Sequence, residues 1–251
     1  MKAWEIVTNV LIGAGEFANP GVSTGEIDAW AEKYIVRMGG TPYNKGYQPK
    51  PTKIPFPATM CISINDEIVH GIPSKERRLQ EGDLVSFDVG VKKDGLCGDA
   101  AFTMGIGRIS KEDEQLLKVA KKALYRGLRE VKNGKKIGNV SKAITDFVKR
   151  EGYVVNNRFS GHGIGKEMHE GSPVMSYYIP NLAQNGTPFQ AGKMYCLEPQ
   201  ITYKDQRGIP DENMWTFRTS DGRKSAFFEH QVLVKEKGID ILTKHFTEWD
   251  N

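Results

Sequence analysis

A helix pair that occurs twice constrains this chain more than any other feature. Residues 3–18 and 26–38 carry apolar side chains at helical spacing, with Ile27, Trp30, Ala31, Tyr34 and Ile35 forming the stripe of the second segment. NPGVSTGE between them supplies turn and N-cap signals. The arrangement returns at 111–132 and 139–150, joined by NGKKIGN. A shift of 113 residues superposes Gly21 on Gly134, Gly25 on Gly138, Ile27 on Val140, Tyr34 on Phe147 and Gly39 on Gly152. Such an offset reads as two related halves, 1–107 and 108–251, each a helix pair followed by strands.

The strand-like segments are ATMCISIN, DLVSFDVGVKK and GLCGDAAFTMGIG in the first half, and YVVNNRF, KMYCLEPQITY and SAFFEHQVLVK in the second. The proline-rich GYQPKPTKIPFP, residues 46–57, reads as a surface loop, and a long irregular stretch is expected up to Ala191. No linker separates the halves. One domain over 1–251 is therefore expected, of α+β type, with two halves sharing one mixed sheet.

Composition excludes several classes. With 251 residues the chain has ample apolar material for a core. Its 35 basic and 31 acidic residues are spread throughout, and short clusters such as KERR and KNGKK read as solvated loops rather than a DNA or RNA footprint. Cys61, Cys97 and Cys196 are far apart and form no CxxC, so neither a disulfide framework nor a structural zinc knuckle is expected, and a reducing, cytoplasmic setting fits. The amino terminus lacks a signal-peptide pattern, and no run reaches membrane-spanning length.

Four carboxylates stand where apolar strands should be. Asp88 and Asp99 flank the turn KKDG. If all four turn residues form the loop, the two aspartates lie opposite each other; if only Asp94 and Gly95 do, they are diagonal neighbours on one face. Like charges so close call for a proton or a cation between them, unless that face is simply hydrated. Glu198 in YCLEPQI and Glu229 in AFFEHQVLV repeat the anomaly. Should the halves face each other, four negative charges would meet at one centre, and two divalent ions would neutralise them.

SGHGIGKEMHEG adds His162 and His169. Neither a dinucleotide loop nor a P-loop is indicated, since no convincing helix follows, and HExxH is absent. The glycines instead suit a backbone held close to a buried site, with His162 toward the metal and His169 at the rim, although an ordinary hydrogen-bonded role is open for each. His70, before Gly-Ile-Pro, points to a loop-lined cleft. His230 and His245 read as structural or surface residues, His230 facing away from Glu229.

Taken together, NDEIVHGIP, FDVG, GDAAFTMGIG, GHGIGKEMHE, LEP and FFEHQVLV, with PGVSTGEID upstream, resemble the methionine aminopeptidases of type I over nearly the whole chain. The resemblance implies a pita-bread fold, two pseudo-symmetric halves of helix pairs packed on a curved central antiparallel sheet, around a dinuclear site. It implies Asp88, Asp99, His162, Glu198 and Glu229 as metal ligands, Asp99 and Glu229 bridging both ions. It further implies Glu198 as proton acceptor and His70 and His169 as catalytic, substrate-contacting histidines. The reaction implied is removal of the initiator methionine from nascent chains with a small second residue, by a cytoplasmic monomer, with the ribosome surface as a further candidate partner. The metal could be cobalt, manganese, iron or zinc.

The positions matching the family's methionine pocket are Tyr47, Phe56, Cys61, Met168, Trp215 and Phe227. Two depart from the pattern: Met168 stands where an aromatic residue is usual, and Phe227 where a glutamine is usual. The amino terminus is shorter than the family's usual start, so a clipped first helix is expected. The short interval from His169 to Glu198 leaves no room for the insertion of type II enzymes. Competing readings are an Xaa-Pro peptidase of the same fold and a pita-bread protein that has lost catalysis and captures peptide or ribosome surfaces. Retention of all five ligands and both histidines argues against the latter.

Overall fold

The structure is a computed structural model, and it describes residues 1–49, 54–180 and 186–243. The first half runs α1 (Ala3–Phe17), α2 (Thr24–Arg37), β1 (Thr41–Pro42), β2 (Cys61–Ile64), β3 (Glu67–Val69), β4 (Leu84–Lys93) and β5 (Leu96–Gly105). The second half opens with α3 (Lys111–Leu128), α4 (Ile137–Arg150), β6 (Val154–Val155), β7 (Gly161–Ile164) and β8 (Glu170–Val174). It continues with β9 (Met194–Leu197), β10 (Gln200–Thr202), β11 (Ile209–Pro210), β12 (Phe217–Arg218), β13 (Ala226–Phe227), β14 (His230–Val234) and β15 (Ile239–Ile241).

Helix boundaries follow local chemistry. Ser23 caps α2 by accepting from the Glu26 amide, and the Glu26 carboxylate accepts from the Ser23 amide in return. Ser110 caps α3 by accepting from the Asp113 amide, and its hydroxyl donates to the Asp113 carboxylate. α3 ends at Leu128 rather than at 132, because the amides of Glu130 and Val131 bond three residues back, to Gly127 and Leu128, and tighten the chain into a turn. The buried stripe of α1, Ile6, Val7, Val10, Leu11 and Ala14, packs on β4 and β5. Its first turn approaches so closely that a Cβ at Gly98 would lie 2.5 Å from the Trp4 nitrogen. Glycine beside Asp99 is thus a packing requirement.

The expected single mixed sheet is not what forms. Every strand pair among the described residues is antiparallel, and the strands divide into four sheets, ordered β1-β4-β2 with β5 on β4, β13-β10-β6, β11-β12-β3 and β15-β14-β9-β7-β8. A bridge between Ala101 and Glu229 links the halves, and one apolar cluster runs through both, from Ile6, Ile27 and Phe87 to Leu116, Ile144 and Ile201.

The two long second-half strands also break. KMYCLEPQITY divides into β9 and β10 at Glu198-Pro199, and SAFFEHQVLVK divides into β13 and β14 at Phe228-Glu229. Proline has no amide to give to a ladder, so the chain leaves the sheet where Glu198 must turn to the centre. Of YVVNNRF only Val154–Val155 is strand, whereas GHGIG contains β7 and the stretch before Ala191 contains β8. The fold is α+β.

Candidate metal centre

The β4–β5 hairpin decides how the first two carboxylates meet. Lys93 pairs with Leu96, leaving Asp94 and Gly95 as the turn, with φ of 49° and 77°. Positive φ at both positions is the tight hairpin turn whose twist suits the flanking strands. Asp88 then pairs with Ala101 and Asp99 with Gly90, so the aspartates are diagonal neighbours.

His162 comes from β7, between β8 and β9. A Cβ on Gly161 would lie 2.1 Å from the Cys196 carbonyl oxygen, and one on Gly163 would lie 2.3 Å from that of Glu170. The glycines flanking His162 therefore allow the neighbouring strands to close on it. His162 Nε2 lies 3.5 Å from Asp99 Oδ2 and 3.6 Å from Glu198 Oε1, while its Nδ1–H donates to the Gly163 carbonyl at 3.0 Å. Glu198 accepts from Gln200 Nε2 at 3.0 Å. The Gln231 side chain accepts from the Asp99 amide at 3.2 Å. Asp88, Asp99, His162, Glu198 and Glu229 all line one cavity of about 260 Å³.

Electrostatics shows what this cluster lacks. Burial, with the charges of Asp99 and Glu198, pushes Asp88 well above the usual carboxylate range. Burial and the charges of Asp99, Glu198 and Asp88 do the same to Glu229. Glu198 is raised by burial to about 8, His162 opposing the rise and Asp99 adding to it. For His162 burial acts downward, but the hydrogen bond to Asp99 and the charges of Glu198 and Asp99 outweigh it and hold the ring at about 9. Glu229 Oε1 is buried with no hydrogen-bond partner, an arrangement costly in isolation and natural for a cation ligand. Ligand atoms of Asp99, His162, Cys196 and Glu229 all lie within 4.8 Å of one another. The residues fit a divalent ion.

These shifts set a pH dependence for the metal-free protein. Folded-state values raised above the ordinary 6.5 of His162 and 4.5 of Glu198 mean that the folded chain holds protons the unfolded chain releases. That stability is lost as pH rises through about 8 and 9. The melting temperature of chelator-treated protein should therefore fall between pH 6.5 and 9, and a saturating divalent ion should flatten the slope; a melting temperature that is level or rising in chelator would contradict the assignment.

The other two histidines line the same cavity. Burial and the neighbouring His169 lower His70 to about 4. His70 has a φ of 59°, a conformation that a non-glycine residue adopts only under local constraint, and its carbonyl accepts from Thr216 Oγ1 at 3.1 Å. His169 stands at the rim with its ring centroid 4.3 Å from that of His162. The atoms packed about it and the His162 charge lower it to about 4. The Tyr47 hydroxyl lies 3.2 Å from its Nδ1. Both rings are neutral at neutral pH.

Tyr47, Phe56, Cys61, Met168 and Trp215 also line the cavity. Phe56 meets Trp215 edge to face at 5.2 Å, and the base of the 46–57 loop is closed by bonds from the Gly46 amide to Phe56 and from the Phe56 amide to Tyr47. Residues 50–53 of that loop lie outside the described residues, as does His245. Phe227 departs from its sequence assignment: it packs with Ile68, Val69 and Ala101 and is not part of the cavity wall. On β13 it is one of two residues before the break at Phe228-Glu229, and the bend that brings Glu229 inward leaves Phe227 in the core. His230 is fully buried against Thr243, away from the carboxylates.

Sequence reasoning missed Tyr43, Asn44 and Pro49 on the cavity wall, and Cys196 among the possible ligands. Only Cys196 carried a signal, since it lies two residues before Glu198 and strand alternation puts the two on one face. All three cysteines are reduced and buried. No helix among the described residues is long and apolar enough to cross a membrane.

Residues 1–236 match the model of metallopeptidase family M24. The chain is 37% identical to a methionine aminopeptidase of Aquifex aeolicus, over 97% of this chain and 94% of that protein. It is 39% identical to methionine aminopeptidase 1 of Bacillus subtilis, over 90% and 87%. The crystal structure of methionine aminopeptidase from Thermotoga maritima superposes with a TM-score of 0.89 at 32% identity, covering 97% of this chain and 94% of that one. A prolidase from Pyrococcus furiosus shares the fold at a TM-score of 0.72 and 23% identity, with only 62% of its chain covered.

Proposed function

Because the chain belongs to metallopeptidase family M24, we propose that it is a metal-dependent aminopeptidase removing the initiator methionine from nascent polypeptides with a small second residue. The observation that carries this reading is one cavity combining four carboxylates and His162 with two neutral histidines and the apolar Phe56, Met168 and Trp215. Its volume, about 260 Å³, is below the roughly 300–1,000 Å³ of pockets for drug-sized ligands. It suits one unbranched side chain.

Asp88, Asp99, His162, Glu198 and Glu229 would hold two divalent ions, whose four positive charges match the four carboxylates. When bound, such ions supply Lewis acidity toward the scissile carbonyl and acidify water. Glu198, kept ionised once a divalent cation lies beside it, is placed to take a proton from water and return one to the departing amine. With the Tyr47 hydroxyl donating to Nδ1 of His169, the ring proton sits on Nε2 and can be given to the oxygen on which negative charge develops. His70, neutral and half-buried against Phe159, orients the peptide within the same cavity. The apolar wall of Phe56, Trp215 and Met168 takes the methionine side chain, and Met168 adapts its shape.

Dialysis against a chelator should abolish methionine release from Met-Ala-Ser, and re-addition of cobalt, manganese, iron or zinc should restore it with two ions bound per chain. Undiminished hydrolysis in chelator would contradict the proposal.

A further inference from the structure

Cys196 belongs to the compact group of possible ligands, although neither the motif resemblance nor the mechanism gives it a role. It is carried by β9, between β7 and β14, opposite Gln231. Its side chain is fully buried, and its thiol donates to the Glu229 carboxylate. Glu229 Oε1 is left without a partner in the same place. Asp99, His162, Cys196 and Glu229 thus offer two oxygens, one nitrogen and one sulfur from three different strands and the Glu229 bridge, all within 4.8 Å. Donors grouped this closely would be within reach of one divalent ion.

We propose that Cys196 is a sulfur donor to one of the metal ions, and that it biases this centre toward zinc and cobalt and against manganese and magnesium. The inference rests on the metallopeptidase reading and deepens it. Carboxylates and water suit hard ions such as magnesium and manganese, whereas thiolate sulfur is a soft donor that favours softer ions such as zinc over them. On ligation the Cys196 S–H bond is replaced by a sulfur–metal bond, and the proton now directed at Glu229 leaves to solvent; nothing is oxidised or reduced. The other cysteines are set differently. Cys61 lines the cavity and bonds to Asp88 and Asn44 outside the compact group. Cys97 faces the Lys166 carbonyl at 3.5 Å. Each serves as an internal control.

The test is a cobalt(II) titration of the metal-free full chain, followed by absorption spectroscopy. The wild-type protein should show a near-ultraviolet sulfur-to-cobalt charge-transfer band that grows with the visible cobalt bands. Cys196→Ser should lose the charge-transfer band and keep the visible bands, while Cys61→Ser and Cys97→Ser keep both. In competition, the preference for zinc over manganese should fall by about tenfold or more in Cys196→Ser, with manganese affinity little changed. Because the wild-type spectrum is itself decisive, a poorly folding variant does not leave the question open. Visible cobalt bands without the charge-transfer band, or a band that survives Cys196→Ser, would overturn the sulfur ligand and leave the metal centre standing. No cobalt binding at all would overturn both.

Discussion

Replacing Asp99 by alanine should abolish divalent-metal binding and lower methionine release by about a thousandfold or more, because several kcal/mol of charge stabilisation disappear with the metal. The same substitution should leave the metal-free protein as stable as the parent, or more stable. The sign follows from the like charges at the centre. Asp99 acts with burial to raise Asp88, Glu198 and Glu229, so its removal relieves repulsion that the metal-free chain otherwise offsets by holding protons. Loss of the His162 contact is the opposing effect. It is the smaller one, since three carboxylates gain and one imidazole loses. Metal content after dialysis and a melting curve in chelator measure the two halves of the prediction. Retention of near-stoichiometric metal, or a lower melting temperature for the metal-free variant, would contradict it.

His169→Ala should behave in the opposite way, with turnover falling by about 10²–10³-fold, the usual loss of one oxyanion donor, and metal content unchanged. The ring stands at the rim beside His162 but outside the compact group of ligand atoms. It is neutral at working pH, so the lost quantity is a directed hydrogen bond rather than a charge. Tyr47→Phe should produce a smaller loss through the same ring, because it removes only the partner that fixes the tautomer. Steady-state kinetics with metal analysis on the same samples distinguishes the roles. A parallel fall in bound metal in His169→Ala would make the histidine a ligand.

Much of the architecture was legible because it rests on local rules. Helical spacing located the four helices among the described residues, and Asp94-Gly95 is the two-residue turn that such a dipeptide favours. Two joints recur at the 113-residue offset on which the reading as two related halves rests. Gly21 and Gly134 both have positive φ and donate to Leu79 and Phe189, and the bridges Ser23 to Arg78 and Lys136 to Pro188 begin 113 residues apart. The four misplaced carboxylates could be read because burial of a carboxylate in an apolar strand is expensive and must be compensated.

Other features depend on long-range packing. The breaks at Glu198 and Glu229 interrupt segments whose apolar content reads as continuous strand, and nothing local in AFFEHQVLV shows that Phe227 stays in the core. Tyr43 and Asn44 reach the cavity because β1 pairs with Val91 and Lys92 of β4 and the Tyr43 amide then bonds to the Gly90 carbonyl. The division into four antiparallel sheets arises from which edges pair, and side-chain alternation does not encode that choice.

The most direct measurement of the central claim is a comparison of initial rates for metal-loaded protein on Met-Ala-Ser and on Xaa-Pro dipeptides, with Glu198→Ala run in parallel. The account predicts release of methionine from Met-Ala-Ser, little or no cleavage of the Xaa-Pro substrates, and near-complete loss of methionine release in Glu198→Ala. Preferential cleavage of the Xaa-Pro dipeptides, or no cleavage of the methionyl peptide with any divalent metal, would contradict it.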